Sequence, residues 1–576
     1  MPSSTLLRYL PFAPSTTPVQ ALTYLLGISL FSISFLVFLN SSVSFVITDL
    51  IGQKKGVGDV VGTLGFVDEI VALVACPAWG LVSDRLGVRW VAVIGYSVIG
   101  VSLALFVQAR AVYPQLLLAR VLFAVGASAA ATMVTAILPS LTDDSSPVDH
   151  AAQERIKALQ TARNSVTFSV ESELTITPER YTHSVSTDPE DDDSDKAGRP
   201  SKLAGLVGVF TGCGALVALV LFLPLPVRFG EIKGVTPADA VSYSFYVVSV
   251  VAFVVAFSVS FGLRNLKGEE GKGWNVLLGC QNDGSESRSG FGVAPQRQKL
   301  VPYLSLMKDS VLLGCTDSRI GLAYLGGFVA RASSVAISLF IPLFVNTYFI
   351  DNGFCKGSPH DPSPELKEEC RAAYVLSSIL TGVAQLMGLM CAPLFGYLSS
   401  RPGRINWPIV TSTSLGVVGY IILPQLASPE IKNVEGRGGS PVIFLVVTLI
   451  GISQIGAIVC SLGSLGRGVL DADIPRTAYR APSLDPDEDE STDENHPLIS
   501  VDSEYETSSR IRLKGSIAGV YSLCGGAAIL LLTKLGGYLF DKLSHGAPFY
   551  MMASFNALLL AATLCMDASQ AFSRRA

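Results

Sequence analysis

The stretch CPAWGLVSDRLG (residues 76–87) recurs in altered form as APLFGYLSSRPG (residues 392–403). A constant offset of 316 residues aligns Pro77 with Pro393, Gly80 with Gly396, Arg85 with Arg401 and Gly87 with Gly403. A second pair, GVFTGCG (208–214) and GVYSLCG (519–525), aligns at an offset of 311. Two matches at nearly equal offsets imply that the chain is a duplication of one unit.

Each copy sits at the end of an apolar segment. A helix needs about 20 apolar residues to cross the hydrocarbon core, since its backbone polar groups must be satisfied within the segment. Segments of that kind run over 21–49, 58–82, 90–108, 114–141, 203–224 and 239–263, and then over 320–349, 373–399, 407–427, 441–465, 515–540 and 547–567. The expected fold is therefore an all-α membrane protein of twelve transmembrane helices in two pseudo-symmetric six-helix bundles, 21–263 and 320–567. Composition agrees: 49% of the 576 residues are hydrophobic and 15% are charged, against about 25% charged in soluble domains. The first segment starts too late and runs too long for a cleaved leader, so it reads as helix 1.

Short connections rich in Arg mark the cytoplasmic side. Arg85 and Arg89 follow segment 2, Arg401 and Arg404 follow segment 8, and Arg574 and Arg575 close the chain. Both termini, 1–20 and 568–576, are thus expected in the cytoplasm, as are three polar stretches expected to be largely disordered: 142–202, the linker 264–319 between the halves, and the acidic 466–514. The net charge of −5 comes from runs such as EDDDSD (190–195) and DPDEDE (485–490) and says little about partners. Of ten cysteines, Cys355 and Cys370 share a non-cytoplasmic loop where a disulfide can persist, with two free thiols as the alternative.

Duplicated helical halves with a solute site between them at mid-membrane are the pattern of secondary transporters. GLVSDRLGVR (80–89) resembles the motif between helices 2 and 3 of the major facilitator superfamily, and GYLSSRPGR (396–404) its degenerate copy between helices 8 and 9. ARVLFAVGA (119–127) resembles the family's helix 4 motif. Val88 stands where a basic residue is usual, Ser400 replaces the acid of the second copy, and helix 5 lacks the Gly-Pro pair typical of antiporters. The arrangement is similar to that of fungal vacuolar members. The resemblance implies alternating access and a small-molecule substrate, with Gly80, Asp84, Arg85, Gly87 and Arg89, echoed by Gly396, Arg401 and Gly403, as the gating motif. Asp84 would then face the start of helix 11 near Lys514, where a carboxylate gains about 0.3–1 kcal/mol from the helix terminus.

Ionisable residues inside spans mark sites or pathways, because a charge at the bilayer centre costs at least about 2.5 kcal/mol. Asp68 and Glu69 lie roughly 15 Å into segment 2, and Arg331 is equally deep in segment 7. Adjacent helical residues point about 100° apart. The repeat pairs Glu69 with Gln385 but Asp68 with Ala384, so Glu69 is the one expected at the interface between halves. Arg331 would bind an anionic substrate group or pair with Glu69, and Arg120 matches the arginine that the family links to proton coupling. A buried structural ion-pair network is the competing reading. Lys534 and Asp541 lie close enough to the interface to snorkel and are expected to be structural.

ENHPLI, with Glu494, Leu498 and Ile499, resembles an acidic dileucine sorting signal read by a cytoplasmic adaptor. It places the chain in a vacuolar membrane, the plasma membrane being the alternative. The partners expected are a small solute, the lipid bilayer, protons and that adaptor, for a chain acting as a monomer without cofactor, metal or nucleic acid. A sensor that binds a solute without moving it is the second functional reading. No catalytic constellation supports an enzyme.

Overall fold

The computed structural model describes residues 10–53, 57–143, 189–269, 272–277, 303–353, 371–401, 406–431, 439–470 and 510–573. Cys355, Cys370, Gly403 and the Glu494, Leu498, Ile499 motif lie outside the described residues.

Among the described residues twelve helices are long and apolar enough to cross a membrane. They are α1 (Pro18–Leu50), α2 (Val60–Leu86), α3 (Val88–Phe106), α4 (Val112–Thr142), α5 (Gly198–Gly230), α6 (Pro237–Gly262), α7 (Ser318–Asp351), α8 (Val375–Ser400), α9 (Trp407–Gln425), α10 (Val442–Leu470), α11 (Lys514–Lys542) and α12 (Ala547–Phe572). Local chemistry sets several of the starts. Thr17 and Gln20 exchange side-chain and backbone hydrogen bonds around Pro18 to begin α1, and Thr236 and Asp239 do the same around Pro237 for α6. Gly87, at φ 98°, turns the chain between α2 and α3 in a conformation that other residues adopt only under strain.

The end bearing Arg85 and Arg401 is the basic end. There the halves meet in two crossed seams, α2 on α11 and α5 on α8. The two sequence repeats are therefore each other's partners: the 76–87 motif packs on the GVYSLCG helix, and its copy on the GVFTGCG helix. Outward-facing Leu118, Val220, Val254, Phe257, Leu445 and Tyr538 are exposed, as an apolar belt in lipid would be.

Two polar stretches are more ordered than composition suggests. The helix that leads into α5 begins at Pro189, inside the stretch expected to be disordered. In the linker, Trp274–Leu277 and Tyr303–Thr316 are helical. Their aromatic residues anchor them: Trp274 packs on Trp90 at 6.1 Å, and the Tyr303 ring lies 3.6 Å from the Arg85 guanidinium. Such contacts are long-range, so local polarity does not reveal them.

Candidate functional site: a gated central cavity

α11 starts at Lys514, and the first amides of any helix lack intrahelical partners. Asp84, at the end of α2, supplies them from the other half of the molecule. Its Oδ1 accepts the Gly515 N–H at 2.8 Å, and its Oδ2 accepts the Ser516 N–H at 2.7 Å and the Ser516 hydroxyl. The approach is possible because Gly80 has no side chain: a Cβ there would lie 2.5 Å from the Gly515 carbonyl oxygen and 2.9 Å from the Gly519 Cα.

Lys514 does not pair with Asp84. It is fully buried and gives its ammonium to Glu269 at 2.6 Å and to the Ser140 hydroxyl at 2.5 Å. Glu269 also accepts the Val88 N–H at 2.7 Å, capping α3, and meets Lys272 at 3.4 Å. Burial pushes the Glu269 carboxyl up, but Lys514 and Lys272, with the hydrogen bonds from Lys514 and Val88, outweigh it and hold the group below its usual range. Glu269 thus ties the linker, α3 and α11 together. Sequence reading missed it because it sits in a polar run, GEEGKG, with no periodicity to single it out.

At the second seam Gly396 allows the same closeness, since a Cβ would lie 2.8 Å from the Gly205 Cα and 3.0 Å from the Ser201 carbonyl oxygen. Ser400, the counterpart of Asp84, donates to the Tyr397 carbonyl of its own helix at 2.7 Å. Arg401 donates to the Tyr397 hydroxyl at 2.5 Å and lies over its ring. In the first copy Arg85 stacks on Tyr303, and the Arg89 guanidinium sits 4.8 Å from the Trp90 ring.

Above the seams a cavity of about 1330 Å³ separates the halves, walled by α1, α4 and α5 on one side and α7, α8, α10 and α11 on the other. It reaches Asn346 and Asp541 near the end opposite the basic one. Toward the basic end it stops at Thr135 of α4 and Tyr521 of α11, about two turns short of those helix ends. Closed seams on one side and an extended cavity on the other describe an arrangement shut at the basic end.

The five intramembrane candidates divide into a cavity pair, an ion pair and a single carboxylate. Arg331 and Gln385 line the cavity, and Arg331 is exposed to it. Buried Arg120 and half-buried Asp68 instead form a pair off the cavity: Arg120 Nε donates to Asp68 Oδ1 at 2.8 Å, and its Nη2 donates to Asp68 Oδ2 and, at 2.5 Å, to Asn40 Oδ1. Glu69 is half-buried, is not a wall residue, and makes no direct ion pair among the described residues. Arg331 and Arg120 are the cations that act on it electrostatically. Of the two roles expected for Arg331, a direct pair with Glu69 is not formed among the described residues, and its side chain faces the cavity. Asp541 also lines the cavity, and the Lys534 ammonium lies 3.8 Å from the Phe66 ring, bridging α11 and α2. The lipid interface alone therefore does not account for these two positions.

Twelve helices in two halves around a central cavity, joined at one end by paired seams, define the major facilitator fold. Residues 30–147 match the family model described as the Major Facilitator Superfamily. A stretch of 244 residues, 42% of this chain, is 24% identical to the magnetosome protein MamZ of Magnetospirillum gryphiswaldense, and it spans 28% of that protein's length. Among solved structures, the major facilitator transporter FucP in its outward conformation superposes with a TM-score of 0.53 at 11% identity, over 94% of this chain and 97% of that one. A second structure, of the E. coli fucose:proton symporter FucP, gives 0.50 at 11% identity over 94% and 98%. At such identities the likeness is one of fold.

Proposed function

We propose that the chain is a secondary active transporter that moves a small solute by alternating access, coupled to protons. The observation that supports this most is the central cavity, large enough for a solute, closed at the basic end by the Asp84 cap on α11. Alternating access requires that this cap break when the cytoplasmic side opens, and a cap made by one carboxylate on two amides is a two-state contact. For coupling, Glu69 is the favoured group. It lies between Arg120 and Arg331 electrostatically and can take a proton without breaking a direct ion pair, whereas Asp68 cannot. We further propose residence in a vacuolar membrane, which rests on the ENHPLI motif.

The test is counterflow in proteoliposomes with the solute that metabolite profiling of vacuoles identifies. Transport should follow a proton gradient, and Glu69→Gln should abolish its pH dependence while leaving thermal stability unchanged. Solute binding without flux in the wild type would support the sensor reading instead.

A further inference from the structure

The cavity wall is chemically lopsided. Among its described lining residues the charged groups are Arg331 and Asp541, and Asp541 stands near the mouth. In the depth of the cavity Arg331 is the lone charge. It is exposed to the cavity and makes no hydrogen bond or ion pair among the described residues. Its place is built. A Cβ at Gly525 would lie 2.7 Å from the Arg331 Cγ, so the glycine makes room for the side chain's stem.

Around it are neutral groups that can accept or donate. Buried Gln454 donates to the Ser334 hydroxyl at 2.8 Å, and the Tyr521 hydroxyl shares a hydrogen bond of 3.0 Å with Ser461. Between the polar groups the lining carries aliphatic residues from both halves, Ile33, Leu36 and Val37 on α1 and Ile455, Ile458 and Leu462 on α10. An intramembrane cation is costly unless something of opposite charge meets it. A planar guanidinium suits a carboxylate or similar oxyanion, which it can bind through two parallel hydrogen bonds.

We propose that this cavity binds an organic monoanion with an aliphatic body, the anionic group on the Arg331 guanidinium and the body along the aliphatic wall. The inference rests on the transporter reading of the same cavity and names its substrate class. Binding neutralises the one deep charge among the described lining residues, so the loaded cavity can be enclosed without an unpaired charge on its wall.

The probes are octanoate, its uncharged analogue octanamide, and octylammonium, titrated calorimetrically into purified full-length protein with protein-free micelles subtracted. Octanoate should bind and octanamide should bind at least about tenfold more weakly, since one charge-assisted contact is lost. Octylammonium should not bind. Arg331→Gln should remove the preference for octanoate, Arg331→Lys should retain part of it, and Gly525→Ala, which keeps the charge but crowds its stem, should weaken octanoate binding. Equal binding of octanoate and octanamide, no binding of either, or an undiminished preference in Arg331→Gln overturns the proposal. Should any variant fail to fold, the wild-type comparison of the three probes still decides. Octanoate binding without uptake into proteoliposomes leaves the anion site standing and removes the transport reading. Alternating accessibility without octanoate binding does the reverse.

Discussion

The two seams at the basic end descend from one repeated motif, yet they are held differently. Both use a glycine, Gly80 or Gly396, to bring two backbones into contact. Only the α2–α11 seam adds a carboxylate, Asp84, on the free amides of a helix start. The α5–α8 seam has no such start to offer: the helix containing α5 begins at Pro189, well before the crossing, so its amides there are already paired. Ser400, in the place of that acid, donates to the Tyr397 carbonyl of its own helix instead. One seam is therefore capped by a carboxylate, and the other is held by close backbone packing with a Ser399–Ser201 hydroxyl contact of 3.4 Å.

The largest expected effect comes from the residue that reinforces the capped seam. Glu269→Gln leaves Lys514 buried without its counter-charge, a loss of about 3–5 kcal/mol for a broken buried pair. Thermal stability should fall and the basic end should open. A double replacement, Glu269→Gln with Lys514→Met, should recover much of the loss, and no recovery would mean that the pair is not what holds the end closed. The pH dependence follows from the depressed Glu269 carboxyl. A lowered carboxylate contributes above its unfolded value of about 4.3 and loses that contribution as pH falls through the lower folded value. Cysteine labelling from the basic end should thus be flat between about pH 5 and 8 on account of this group.

Asp84→Asn comes next. It keeps the shape but removes the charge from three hydrogen bonds, so a shift of about 1.5–3 kcal/mol toward a state open at the basic end is expected. Reactivity of a cysteine behind the seam, toward an impermeant reagent presented at the basic end, should rise by tenfold or more. Gly80→Ala should act in the same direction with about 1–3 kcal/mol, since the added methyl meets backbone on α11 that cannot rotate away. Gly396→Ala should match it, because the steric half of the device is common to both seams. Ser400→Ala is the smallest, below about 0.5 kcal/mol, its hydroxyl bonding only within its own helix.

Much of this was legible in the sequence. The duplication, the six-plus-six spans and the capped-seam residues Gly80, Asp84 and Gly87 all lie in contiguous patterns set by helix periodicity and turn chemistry. Arg331 was legible as a lone charge in an apolar run. The division of labour between Asp68 and Glu69 was not. The repeat favoured Glu69 by its match to Gln385, but the repeat carries no information on which carboxylate Arg120 reaches from α4, and that contact is to Asp68. Gln385 lines the cavity and Glu69 does not, so the halves have diverged at this position. Glu269 was invisible for a related reason: its partners Val88 and Lys514 are distant in sequence, and the GEEGKG run around it has no apolar periodicity.

The asymmetry of the seams can be read as a distance. Spin labels at Arg264→Cys after α6 and Arg401→Cys after α8, in a cysteine-depleted background, report the separation of the halves at the basic end. The account predicts one short population in the parent chain, a second and longer population in Asp84→Asn, and no such gain in Ser400→Ala. Identical distributions for Asp84→Asn and Ser400→Ala would contradict it, since the carboxylate on α11 would then not be what keeps this end shut.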